Sequence, residues 1–294
     1  MRIVSLLPSA TEIVFALGIG EQLAGVTHEC DYPSEALGKP RVTSTALPAA
    51  ARTSRDIDEG INRLLDEGRS IYHLDLALLE QLQPDLILTQ ELCDVCAVAY
   101  SEVNRAAASV SSQPRVVSLE PNTLEQVLDT ILTVGSLCQV ESVAKEYVAG
   151  LRARLAAIQR AGGRRPRVYC MEWLDPPMRA GHWVPEMVGL AGGEESFGNA
   201  GQPSTKTTWD DIATYRPEIV VLMPCGFDLP RTVAEAPLVL DRLAALGARE
   251  VWAVNGSAYF SRPGPRLVEG VEILAHILGT YAGGLPTDSV QQVR

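Results

Sequence analysis

Aromatic residues and histidine are scarce in this 294-residue chain, which has four Trp, four Phe, eight Tyr and four His. The His residues are scattered at 28, 73, 182 and 276, so no HExxH zinc-protease helix is present. GxSxG, GxxxxGK[ST] and GxGxxG after a strand are absent too, which leaves a hydrolase, an NTPase or a dinucleotide enzyme little to stand on. Positive charge is also short, with 25 Lys and Arg against 36 Asp and Glu and a net charge of −11. That balance argues against nucleic acid and against an anionic membrane surface as partners. No apolar run reaches the ~20 residues that span a bilayer, so membrane insertion is not expected. The opening MRIVSLLPSATEIVFALG has one Arg and a short apolar stretch broken by Pro8, Ser9, Thr11 and Glu12, unlike a secretory signal. As written it predicts a cytoplasmic protein, or a periplasmic one if a leader is missing.

What remains is globular: 46% hydrophobic and 21% charged residues, in a length that fits two lobes. Short apolar runs alternate with helical patterns. RIVSLL, LAGVTHEC, the LILT of QPDLILTQ, and PRVVSLEP read as strands, with SATEIVFALG as a helix capped by Ser or Thr. The expected class is therefore α/β with mostly parallel sheets. From Thr123 to about Arg160 the periodicity is helical, with a second segment opening near Ser142 and closing at GGRRP. The pattern then restarts with PRVYCMEW, IVVL, REVWAV and a closing helix in PRLVEGVEILAHILG. The last dozen residues read as a frayed tail. The stretch LEQLQPDLILTQELC resembles IATYRPEIVVLMPCG 133 residues later, as two related lobes would produce. Ligands of open α/β sheets sit beyond the carboxyl ends of strands, so the loops His28–Asp31, Gln90–Cys96, Glu172–Trp183 and Cys225–Phe227 are candidate walls of a site.

Two constellations stand out. Cys93-Asp-Val-Cys96 reads as a redox pair, a metal half-site, ligand-facing thiols or two small buried residues. On the metal reading, His28 and Cys30, on a neighbouring predicted strand end, would supply the two further donors that a tetrahedral zinc or an iron site requires. The second is EWLDPPMRAGHW, which places Trp173, His182 and Trp183 in a Pro- and Gly-rich loop after a strand. Such rings either plug the lobe's own core or form a ligand face, and the cluster favours the ligand face. His182 reads as a hydrogen-bonding residue or an axial-type metal ligand. Trp209, Phe227, Tyr259 and Phe260 also lie near strand ends. Arg262 and Arg266 bracket PGP, and suit amide or phosphate oxygens or plain solvation.

SLLPSATEIVFALG, CDYP at 30–33, LQPDLIL, DPPMRAGHWVPEMVGLAGG, YRPEIVVL and SRPGPRLVEGVEILAHIL are co-linear over residues 1–280. Together they resemble the cobalamin-binding substrate-binding proteins of ABC importers. These belong to the helical-backbone periplasmic-binding family that also carries iron–siderophores and haem. The resemblance implies two Rossmann-like lobes joined by one long helix: a lobe over 1–121, a connecting helix over 122–162 and a lobe over 163–294. It implies a non-enzymatic protein that clamps a corrinoid, or as an alternative a ferric chelate or haem. It points to Tyr32, Gln90, Trp173, His182, Trp183, Tyr259 and Arg262 as ligand residues. Family members that dock on a permease carry one acid per lobe. Here Asp210 matches in the second lobe, while Ala77 occupies the first position with Asp75 nearby. Cys30, Cys93 and Cys96 depart from the periplasmic pattern and suggest a cytoplasmic relative. They also leave open an enzyme of corrinoid or metal handling that uses those three thiols.

Overall fold

The computed structural model describes residues 1–48, 53–90, 98, 100–158 and 164–294. The chain divides into two compact units. Unit 1 comprises Met1–Arg52, Asp56–Glu120 and Leu128–Val148, and unit 2 comprises Thr53–Arg55, Pro121–Val127 and Ala149–Arg294.

The first half of the chain runs β1 (Ile3–Ser5), α1 (Pro8–Ala16), β2 (Leu23–Val26), β3 (Thr43–Thr45), α2 (Ser54–Asp66), β4 (Tyr72–Leu74), α3 (Leu76–Leu82), β5 (Leu86–Thr89), α4 (Tyr100–Ser109) and β6 (Arg115–Ser118). Strands β2, β1, β5 and β6 form a four-stranded sheet in that order, and every pairing is parallel. Strands β1 and β5 are buried at every residue, as parallel strands covered on both faces must be. Val4, Leu6, Ile87, Leu79, Val103 and Ala107 build the core of this unit. The antiparallel pair β3–β4 stands beside the sheet as a separate ribbon. Helix α1 starts one residue before the expected Ser cap. Pro8 occupies its first turn, and Leu7 stands at the cap position without a side-chain bond. Pro suits that position because its missing N–H has no partner to lose there.

Within the helical stretch expected over 122–162, the described residues form two helices, α5 (Leu124–Leu137) and α6 (Glu141–Ala157). The chain turns between them at Gln139, whose φ is +60°. The Val140 N–H then reaches back to the Gly135 carbonyl at 2.8 Å, a left-handed helix stop.

Unit 2 continues with β7 (Val168–Trp173), β8 (Met178–Arg179), β9 (Gly181–His182), α7 (Val184–Ala191), β10 (Asn199–Ala200), β11 (Thr205–Lys206), α8 (Trp209–Tyr215), β12 (Ile219–Leu222), α9 (Leu229–Glu235), α10 (Pro237–Ala245), β13 (Glu250–Val254), α11 (Leu267–Ile277) and β14 (Val290–Gln292). A six-stranded sheet has the order β11-β8-β7-β12-β13-β14. Its centre, β7-β12-β13, is parallel. Alternate residues feed two cores. Val168, Cys170, Ile219 and Val221 join one face, and Tyr169, Met171, Val220 and Leu222 join the other. This is the two-residue period of a strand buried on both sides. The chain's end is not frayed: β14 pairs antiparallel with β13 through Trp252, Ala253 and Val254. The tail's polar composition hid it, because an edge strand needs only one buried face.

Candidate functional site

In unit 1 the residues of interest follow β2 and β5. Just past β2, the Thr43 hydroxyl donates to Thr27 Oγ1 at 2.8 Å, and His28 Nδ1 lies 2.8 Å from the same Thr43 oxygen. His28 Nε2 lies 3.2 Å from Glu29 Oε1. Cys30 is buried, with its Sγ 3.1 Å from Thr11 Oγ1. The Thr11 hydroxyl donates to Ser5 Oγ, which in turn donates to the Leu7 carbonyl. The thiol therefore ends a chain of hydroxyls under α1. Tyr32 is half exposed. Gln90 is buried directly past the end of β5. Cys93 and Cys96 lie outside the described residues. Among the described residues no group of three or more His, Cys, Asp or Glu is placed to hold a metal ion.

In unit 2 the strand ends carry the aromatic residues. Trp173 closes β7. Its indole N–H donates to the Ser54 carbonyl at 3.2 Å, and its ring meets Phe227 edge-on at 5.5 Å. The Arg231 guanidinium lies 3.7 Å from the Phe227 ring centre, within cation–π range. Glu172, one residue before Trp173, ties down the next turn. Its Oε2 accepts from the Ser204 hydroxyl and from the Gly181 N–H. Gly181 is needed there, because a Cβ would stand 2.4 Å from the Gln202 carbonyl oxygen.

The tie delivers His182 and Trp183. Trp183 is 7% exposed and belongs to the core of unit 2 with Val184, Met187, Phe260 and Leu267. Its indole N–H donates to the Phe260 carbonyl at 2.8 Å. The sequence favours a ligand face for this ring, but the fold turns most of it inward. His182, half-buried, stacks on it at 5.3 Å, and its Nδ1 lies 3.3 Å from Asn122 Oδ1. Burial pushes the His182 imidazole below its usual range. Beyond β13, a π-helical turn over Ser257–Ser261 buries Tyr259 and ends at Arg262. Arg266 lies 5.7 Å from the Tyr259 ring centre. Gly270 of α11 lets this turn pack closely, since a Cβ there would meet the Tyr259 carbonyl oxygen at 2.2 Å.

Sequence reasoning overlooked Asn122, the partner of His182, and Arg231 over Phe227. For Arg231 a signal exists: Asp228 caps α9 by accepting the Arg231 N–H, and Asp-x-x-Arg at a helix start places the Arg beside the strand end. A separate cavity of about 270 Å³ is lined by Leu124, Glu125, Leu155, Ile158, Glu186 and Leu190 among others. None of the sequence-predicted site residues lines it.

Two α/β units with largely parallel sheets, and with aromatic and polar side chains beyond their strand ends, make up a class III periplasmic-binding-protein fold. Solved structures agree on the fold. The periplasmic vitamin B12 binding protein BtuF of Vibrio cholerae is 21% identical, covers 95% of this chain and 96% of its own, and superposes with a TM-score of 0.63. A periplasmic heme binding protein from Pseudomonas aeruginosa is 19% identical, covers 99% of this chain and 97% of its own, and has a TM-score of 0.71. A vitamin B12-binding protein of Vibrio cholerae is 22% identical over 285 residues, 92% of this chain and 86% of that protein. The family model described as periplasmic binding protein matches residues 3–245, and the chain belongs to that family. It is accordingly a binding protein and not an enzyme, which sets aside the thiol-based enzyme alternative. Among the described residues no helix is long and apolar enough to cross a membrane.

Proposed function

We propose that this protein binds a corrinoid, with cobalamin as the first ligand. The observation that carries the reading is that relatives spanning nine-tenths of the chain are vitamin B12-binding proteins. The aromatic strand ends support it. A corrin is a broad apolar face fringed with amides; unit 1 carries Tyr32 and Gln90, and unit 2 carries Trp173, Tyr259, His182 and Arg262, as ring and polar groups of the kind that suit it. Haem or a ferric chelate is the second reading, favoured by the heme-binding structures that share the fold. Titration with cyanocobalamin and, separately, with hemin, read by native mass spectrometry and the visible spectrum, tests both. A one-to-one mass increment with cyanocobalamin is expected. Stoichiometric hemin binding without cyanocobalamin binding would move the assignment to haem.

Three finer readings belong to the same proposal. Cys93, Cys96, Cys30 and His28 would hold a zinc or iron ion, and metal analysis of the purified protein with a Cys93→Ser variant tests it. Permease docking is incomplete: Asp210 lies in the first turn of α8, where the family's acid is expected, but Asp75 serves as the cap of α3 by accepting the Leu78 N–H. The six cysteines suit a reducing cytoplasm. Recovery of the native protein in a periplasmic fraction would overturn that placement.

A further inference from the structure

His182 combines features that its own packing does not require. It is a non-glycine residue at φ +50°, a left-handed conformation that costs free energy and persists where neighbours enforce it. The neighbours do so on both sides: its N–H donates to the Gln202 carbonyl at 2.7 Å, and its carbonyl accepts the Gly201 N–H at 2.8 Å. The imidazole is then held in one orientation. One face stacks on Trp183, which is itself pinned to the Phe260 carbonyl. Asn122 Oδ1 can only accept, so the Nδ1 beside it carries the proton and donates. Asn122 is anchored in turn by its N–H, which donates to Gln126 Oε1 at 2.7 Å. The tautomer that results leaves the lone pair on Nε2, for which the described residues provide no hydrogen-bond partner. Burial pushes the imidazole below its usual range, toward the neutral form that ligates metals.

We propose that His182 is an axial ligand to the metal centre of the bound chelate, through Nε2. The step is a ligand exchange. The Nε2 lone pair forms a bond to Co(III), the bond from cobalt to an axial water breaks, and the water leaves with no change of oxidation state. A donor N–H to an oxygen acceptor on the far nitrogen is the usual outer support of a ligating imidazole, which makes Asn122 a positioning residue. This inference rests on the corrinoid reading and adds the coordination chemistry of that site.

The test uses the whole chain with two probes. Aquacobalamin has an exchangeable axial water, and cyanocobalamin has its upper position filled by cyanide. The wild type is expected to shift the visible spectrum of aquacobalamin on binding and to bind it at least about tenfold more tightly than His182→Asn does. Cyanocobalamin, whose upper position is already filled, should lose less affinity than aquacobalamin on the same substitution. Asn tolerates the left-handed backbone. His182→Gly relieves it altogether and repeats the comparison if the Asn variant folds poorly. An unshifted aquacobalamin spectrum with wild type, or an equal shift with both variants, overturns axial ligation while cyanocobalamin binding upholds the corrinoid reading. If neither corrinoid binds, the corrinoid reading fails. Hemin then decides ligation: a change in its main absorption band that disappears in His182→Gly supports it, and a change that persists overturns it.

Discussion

At the scale of single residues, the structure separates Trp183 from His182, which the sequence presents as one aromatic cluster. Trp183 is buried in the same core as Val184, Met187, Phe260 and Leu267. Its loss would leave a cavity in a packed core, and aromatic-to-Ala changes in cores cost about 3–5 kcal/mol. Trp183→Ala is therefore expected to lower the denaturant midpoint steeply. An unchanged midpoint with weakened ligand binding would restore the ring to the ligand surface. Glu195 gives a second residue-scale prediction. Its Oε2 accepts the Gly198 N–H at 2.7 Å, while its Oε1 is buried with no hydrogen-bond partner. Burial, opposed by the Gly198 bond and by Arg179, raises its carboxyl to about 7. The folded state thus holds a proton that the unfolded state releases near pH 4.3. Stability falls as pH rises from about 4.3 to about 7, and the loss is complete above that window. Glu195→Gln keeps an oxygen for Gly198 and removes the charge. It is expected to flatten this part of the stability–pH curve and to stabilise the protein above pH 7, by on the order of 2–3 kcal/mol. Chemical denaturation of both proteins at several pH values checks the sign, and a variant no more stable than wild type above pH 7 contradicts it.

At the scale of elements, α11 and the Ser257–Ser261 turn form a pair. The backbone of the turn passes so near α11 that Gly270 cannot carry a Cβ without meeting the Tyr259 carbonyl and Met187. Gly270→Ala would force the two apart, at the roughly 1–3 kcal/mol of an overpacked core, and would displace Tyr259 and Arg262 together. Reduced thermal stability with weaker ligand binding is expected. Undiminished stability would mean that the turn yields freely. The elements that lay open in the sequence are those with a strong period. β12 is an unbroken apolar run, β1, β5 and β7 are broken only by Ser5, Thr89 and Glu172, and α11 announces itself by Pro before it and Gly after it. The helix-stop at Gln139 was harder to see, since a non-glycine residue supplied the left-handed turn. β14 was hidden because an edge strand carries a weak apolar pattern. The side toward which Trp183 points depends on the left-handed backbone of His182 and on the tie from Glu172 to Gly181. The first is enforced by Gly201 and Gln202 and the second bridges nine positions, so neither is legible from the residues beside Trp183. The tautomer of His182 likewise depends on Asn122, sixty positions away.

At the scale of the whole molecule, the strongest property is the charge of −11. It bears on which chelate the protein can hold. Cyanocobalamin is neutral overall, so the summed field of the chain acts on it weakly, and its affinity should hardly depend on salt. Hemin carries two propionates, and an acidic protein repels it unless local cations answer them. Raising ionic strength from about 0.01 M to about 0.15 M shortens the screening length from about 30 Å to about 8 Å. That removes the long-range part of the repulsion. If a corrinoid is the ligand, cyanocobalamin should bind with a Kd that changes less than about twofold over this range, while hemin binds weakly and tightens as salt is added. Titration calorimetry in the two buffers measures both. Hemin affinity that is high at low salt and falls with added salt would reveal a basic site answering the propionates, with Arg231, Arg262 and Arg266 as its first candidates. The corrinoid assignment would then give way to haem.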